Sequence, residues 1–97
     1  MIPKNRPPVH PGEILKEEYL KPLHLSQQKL AKDLGINRVR VNEIVRCKRS
    51  ITPDMAFRLA KYFNTTPDFW LNLQKNFDMW HVLKTHKDEY EKIRSIA

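Results

Sequence analysis

The sequence predicts an all-α fold of about five helices, and three observations carry that expectation. No segment alternates apolar and polar residues as a half-buried strand does, whereas apolar residues recur at three- and four-residue spacings along much of the chain. Helix-start chemistry recurs at Ser26, at Asn37, at Thr52-Pro53-Asp54 and again at Thr66-Pro67-Asp68, each ahead of an apolar run. Gly35 and Asn64 stand where two of those runs end. At 97 residues the chain suffices for one domain with one modest core.

Residues 1–9 hold three prolines and two bases with no periodicity and are expected to be a flexible N-terminal segment. Residues 10–83 are expected to form the folded domain. Pro11 suits a first helical turn, where its missing N–H costs nothing, and Ile14, Leu15, Tyr19 and Leu20 fall at helical spacing until Pro22 ends the run. This first helix of about ten residues carries Glu13, Glu17 and Glu18 on or beside its other face. The second helix is capped by Ser26, carries Leu30, Ala31 and Leu34, and stops at Gly35, because a left-handed residue is cheap only for glycine. Ile36 follows as a buried plug, and Asn37 caps a third helix reaching about Arg46.

Thr52 opens a fourth helix, with Met55, Ala56, Leu59, Ala60 and Phe63 making its apolar side, and Asn64 ends it. The fifth, longer helix starts at Thr66 and is the most apolar stretch: Phe69, Trp70, Leu73, Phe77, Trp80 and Leu83 keep to one broad stripe. Most of Phe69, Trp70 and Leu73 are expected in the core, while Phe77, Trp80 and Leu83, lying beyond the four-helix body, are the candidate dimer contacts. Residues 84–97 are expected to be a polar, partly helical C-terminal extension, with the helix loosening or breaking near Thr85.

The net charge of +7 is concentrated. Residues 37–50 hold Arg38, Arg40, Arg46, Lys48 and Arg49 against one acid, Glu43. Two helices joined by a glycine-containing turn, the second of them basic, form a helix-turn-helix unit whose second helix enters the DNA major groove. At 100° per residue Val41, Ile44 and Val45 face inward. Val39, Asn42, Glu43 and Arg46 face outward, with Arg38 and Arg40 on the flanks. Arginine pairs with guanine O6 and N7, asparagine with adenine N6 and N7, and valine packs on a thymine methyl. Arg38, Val39, Arg40, Asn42 and Glu43 are therefore the candidate base readers. For Glu43 three uses stand open: accepting from cytosine N4, repelling unsuitable DNA, or pairing with Arg40 or Arg46. Arg46, Lys48 and Arg49 follow the reading turn and are assigned to the DNA backbone, with Gln27, Gln28 and Asn37 at the two helix starts.

The pattern S-Q-x-x-L-A-x-x-L-G-I-N-R followed by V-x-x-I-V-x-x-K-R resembles the XRE-type, lambda-repressor-like helix-turn-helix domains. HPGEILKEEYLKPL and ITPDMAFRLAKYFNTTPDFWLNLQ narrow the resemblance to the HigA antitoxin and VapI group, over about residues 9–77. That resemblance implies a lambda-repressor-like fold, a homodimer repressing its own operon on double-stranded operator DNA, and neutralisation of a HigB-type, RelE-like ribonuclease toxin by direct binding. The acidic residues Glu13, Glu17 and Glu18 are a candidate surface for such a basic toxin. The group usually has glycine where this chain has Cys47.

Other functions fit less well. His10, His24, His81 and His86 are scattered, and no zinc-type Cys-His spacing, glycine-rich phosphate loop or paired-carboxylate motif is present. An enzyme is not expected, nor a metal or cofactor. One cysteine excludes an intramolecular disulfide, no apolar run nears the roughly 20 residues that span a bilayer, and no signal peptide is visible. A cytoplasmic protein with no membrane partner is expected. The runner-up readings are a standalone or prophage-type repressor without a toxin, and a protein-interaction module with a merely structural helix-turn-helix.

Overall fold

The computed structural model describes residues 7–97. Residues 1–6 of the expected flexible segment lie outside the described residues, while Pro8 is buried. Among the described residues there are five helical rods and no strand. α1 runs Pro11–Ile14 and passes directly into a π-helical turn, Leu15–Leu20. α2 is Gln27–Leu34, α3 Arg38–Val45, α4 Pro53–Phe63 and α5 Pro67–Glu91.

The caps read from the sequence are made. Ser26 Oγ accepts from Lys29 N–H at 3.0 Å, and Asn37 Oδ1 from Val39 N–H at 2.7 Å. Thr52 and Thr66 hydroxyls accept from Met55 and Phe69 N–H, each at 3.2 Å. Gly35 (φ 72°) and Asn64 (φ 57°) are the left-handed ends of α2 and α4. These caps each contribute about 1 kcal/mol and fix where the helices begin, which in turn fixes which side chains face inward.

The core is one cluster with members from all five rods. Leu15, Leu30, Val41, Ile44, Met55, Leu59 and Trp70 are fully buried. The π-helical turn has a use here, because its wider winding puts Leu15 and Leu20, five residues apart, both into that core. Trp70 sits between Tyr19 and Phe63, ring centroids 5.3 and 6.4 Å away, and its indole N–H reaches Thr65 Oγ1 at 2.9 Å. Buried Gln74 accepts from Ile51 N–H at 2.8 Å and donates to Asp78 at 2.9 Å, which pins α5 to the strand-free link ahead of α4. Gly12 lies where a Cβ would come within 1.7 Å of the Ile44 carbonyl oxygen, so only glycine lets α1 start against the last turn of α3.

The structure departs from the expectations at four points. α5 does not loosen near Thr85 but continues to Glu91, 25 residues in all. Losing the apolar stripe did not end it, because Lys, Glu and their neighbours propagate a helix without burial, and Lys84 over the Trp80 ring (4.8 Å) and His86 beside Glu89 (3.4 Å) tie its turns together. Phe69 is not core: it is 39 % exposed, edge-on to Trp70, since one residue step rotates it about 100° from the buried face. Leu73 and Ile36 are half-buried, packed against the core rather than inside it.

Cys47 has φ 62°, in the left-handed region that costs a non-glycine residue about 1 kcal/mol or more. Cys47→Gly is therefore expected to raise stability by about 1 kcal/mol, offset in part by the greater freedom of glycine in the unfolded chain. Urea denaturation of the two proteins checks this; a midpoint unchanged or lowered in the glycine variant contradicts it.

Candidate nucleic-acid interface

α3 divides as its sequence requires. Val41, Ile44 and Val45 are buried against α1 and α2, and Arg38, Val39 (59 % exposed) and Arg46 stand in solvent. Arg40, Asn42 and Glu43 are half-buried. The starts of α2 and α3 lie side by side around a cleft of about 510 Å³ lined by Ser26, Gln27, Gln28, Arg38, Val39 and Asn42. Five of those six are candidate DNA residues, so the fold gathers most of the base-reading set and part of the backbone set at one mouth. Asn42 Nδ2 donates to Gln27 Oε1 at 3.1 Å. That bond fixes the amide so that its Oδ1 and second N–H remain for a base edge.

The basic residues divide into two groups. Among the described residues Arg38, Arg46 and Lys48 form no ion pair. Arg40 instead reaches back to α4, with Nη2 at 3.4 Å from Thr52 Oγ1 and 3.5 Å from Asp54 Oδ2. Asp54 also takes Arg58 Nε at 2.9 Å, and its carboxyl is held below the usual range chiefly by that bond. Glu43 pairs with Arg49 at 2.8 Å and not with Arg40 or Arg46, the partners suggested by helical spacing. The side-chain oxygen of Asn37, a backbone candidate, is committed to its own cap.

Thr52 and Asp54 were legible only as a helix cap and a first-turn acid. That they also anchor an arginine of α3 had no sequence signal, because the contact crosses twelve residues and depends on how α4 packs.

Behind α3, His10 Nδ1 accepts from Gly12 N–H at 2.9 Å and caps α1, with its ring edge-on to Phe77 of α5 at 4.9 Å. Burial lowers its pKa; Asp78 and Glu13 oppose that less strongly. The folded state therefore favours neutral His10, and the unfolded chain takes the proton first. Stability is full above the ordinary histidine pKa and is lost as pH falls below it toward the lowered folded value. Melting temperature is expected to drop between about pH 7.5 and 5.5, and less steeply in His10→Asn, which keeps a capping oxygen but does not titrate. Parallel slopes in the two proteins would remove His10 as the cause.

The other candidate residues are dispersed. Phe77 and Trp80 are half-buried on α5 and Leu83 is 55 % exposed, next to exposed Met79 and Val82. Glu13, Glu17 and Glu18 are exposed on α1 and its π-turn, with Glu17 paired to Lys21 at 2.7 Å. Among the described residues no group of His, Cys, Asp and Glu is placed to hold a metal, and no helix is long and apolar enough to cross a membrane.

A family model described as Helix-turn-helix matches residues 16–70, which spans α2, α3 and α4. Virulence-associated protein I of Dichelobacter nodosus is 53 % identical over 73 residues, covering 75 % of this chain and 68 % of that protein. The structure of Pseudomonas aeruginosa antitoxin HigA with the higBA promoter superposes with a TM-score of 0.87 at 37 % identity, covering 93 % of this chain and 99 % of that one. That of antitoxin GraA in complex with its operator gives a TM-score of 0.88 at 39 % identity, covering 100 % and 99 %. With an outward basic α3, a cleft between two helix starts and these relatives, the chain belongs to the XRE-type helix-turn-helix family, a non-enzymatic family of DNA-binding regulators, in the group that contains the HigA-type antitoxins.

Proposed function

We propose that this chain is the antitoxin of a toxin–antitoxin pair, acting in the cytoplasm: a homodimer that binds operator DNA, represses its own operon and neutralises a HigB-type, RelE-like ribonuclease toxin by direct binding. The observation that carries the DNA half is the outward set Arg38, Arg46 and Lys48, none of them in an ion pair among the described residues, with Arg38 lining the cleft where α2 and α3 start. In that reading Arg38, Val39, Arg40, Asn42 and Glu43 meet bases, and Gln27, Gln28, Asn37, Arg46 and Lys48 lie along the backbone, while Arg49, the remaining backbone candidate, is paired with Glu43. The promoter and operator complexes of the HigA and GraA antitoxins support it.

A two-fold dimer presents two α3 helices to half-sites about one helical turn, roughly 34 Å, apart. α5 supplies the dimer surface, because Trp80, Leu83 and the neighbouring Met79 and Val82 leave apolar area uncovered on a helix about 37 Å long. Glu13, Glu17 and Glu18 offer exposed acidic groups to a basic toxin.

The test uses the chain's own promoter as a labelled duplex and, as a tagged partner, the product of a small basic reading frame immediately upstream, whose presence would itself favour the antitoxin. Arg40→Ala/Arg46→Ala is expected to lose at least about tenfold in promoter affinity while still co-purifying the toxin. Promoter retention by the double variant equal to wild type would sink the DNA assignment. Failure of the wild type to hold the toxin would leave a repressor without that partner.

A further inference from the structure

Glu43 is the one acid on α3, and Arg49, beyond the helix, pairs with its carboxylate. Arg49 Nε donates to Oε1 at 2.9 Å, and Nη2 of the same guanidinium stands 2.8 Å from that same oxygen. A bidentate pair of the usual kind gives one N–H to each oxygen. Here the end-on fork leaves Oε2 without a donor among the described residues. The backbone prepares this arrangement. Left-handed Cys47 turns the chain back, and Lys48 N–H meets the Glu43 carbonyl at 2.8 Å, so that Arg49 returns over residue 43. The Glu43 side chain remains 40 % exposed, one residue from Asn42 on the outward side of α3.

We propose that Glu43 is a specificity-determining residue that accepts from an exocyclic amine, cytosine N4 or adenine N6, through Oε2, and that Arg49 is the positioning residue that orients it instead of a phosphate contact. The inference rests on the DNA-binding reading above. An ionised carboxylate only accepts hydrogen bonds, and in the major groove the donors are those two amines. Guanine O6 and N7 and thymine O4 are acceptors and repel it. Arg49 has two effects: it offsets a charge that would otherwise be repelled by phosphates, and it keeps Oε2 from rotating into solvent.

Selection from a duplex pool randomised over roughly 20 base pairs, enough for two half-sites a helical turn apart, reads base preference at each position. Salt titration on the selected duplex reads phosphate contacts. Wild type is expected to select cytosine or adenine at one position of each half-site. Glu43→Gln, whose amide also donates, is expected to accept guanine or thymine there, with the preference reduced about tenfold. Arg49→Gln and Arg49→Lys are both expected to lose about three- to tenfold of that preference, the lysine because it lacks the fork, with the salt slope unchanged in both. Both residues are on the surface, so the variants are expected to melt within a few degrees of wild type. A preference untouched in Glu43→Gln overturns the proposal. So does an Arg49→Gln slope shallower by about one per protomer with the preference intact. A wild-type chain that selects no sequence and shows no salt-dependent binding overturns instead the DNA-binding reading itself.

Discussion

Promoter affinity is expected to fall about 10³-fold when salt rises from roughly 50 to 200 mM. Each phosphate neutralised contributes about −0.9 to the slope of log affinity against log salt. Of the five basic residues in 37–50, Arg40 is held by Thr52 and Asp54 and Arg49 by Glu43, while Arg38, Arg46 and Lys48 form no ion pair among the described residues. In the proposed dimer two protomers then bring about six such cations into the DNA's counterion atmosphere, Arg38 among them although it is assigned to bases, which gives a slope near −5 and a loss at the low end of the 10³–10⁵ range for six to ten such contacts. Fluorescence anisotropy on the promoter duplex at five or so salt concentrations measures it. A slope near −9 would mean that Arg40 and Arg49 leave their carboxylates for phosphate as well, and a flat response would contradict the phosphate assignment altogether.

Trp70→Ala is expected to cost about 3–5 kcal/mol. The ring is fully buried, walled by Tyr19 and Phe63, and its N–H bonds to Thr65 across the start of α5. Removing it empties the space where the π-turn of the first rod, the end of α4 and α5 meet, and none of the three can close the void alone. Since about 1 kcal/mol moves the melting temperature of a domain this size by 4–8 °C, the loss corresponds to at least about 12 °C. Trp70→Phe keeps a ring but loses the N–H bond and part of the volume, and is expected to cost about half as much. Thermal unfolding followed by circular dichroism compares the three. A drop of only a few degrees for the alanine variant would show that α5 docks mainly through Leu73 and Gln74.

The sequence carried most of the fold because its signals are local. Ser26, Asn37, Thr52 and Thr66 cap helices through hydrogen bonds that reach no further than three residues, and Gly35 and Asn64 end them through their own φ. Where the expectation failed, the deciding term was not periodic. Residues 84–91 stay helical through intrinsic propensity and neighbouring side-chain contacts, although the apolar stripe that predicted the helix has ended. Phe69 belongs to the apolar set by type yet stands in solvent, because the turn set by the Thr66 cap gives the core position to Trp70. His10 and Gly12 were a motif before they were a structure; packing made them the point where α1, α3 and α5 touch.

The candidate site divides along the same line. Sequence alone determined a helix-turn-helix with a basic outward face, since that needs only a 3.6-residue period and the placement of charge. Tertiary structure alone decided which of those side chains are available: Arg40 is drawn to Asp54 of α4, Arg49 is folded back onto Glu43, and the neutral Asn42 is set by Gln27 of α2. Each of these contacts joins residues six to fifteen positions apart through a turn or between packed helices. Such partners depend on how the helices pack and how the chain turns after Cys47, and that geometry leaves no periodic trace in the order of the residues.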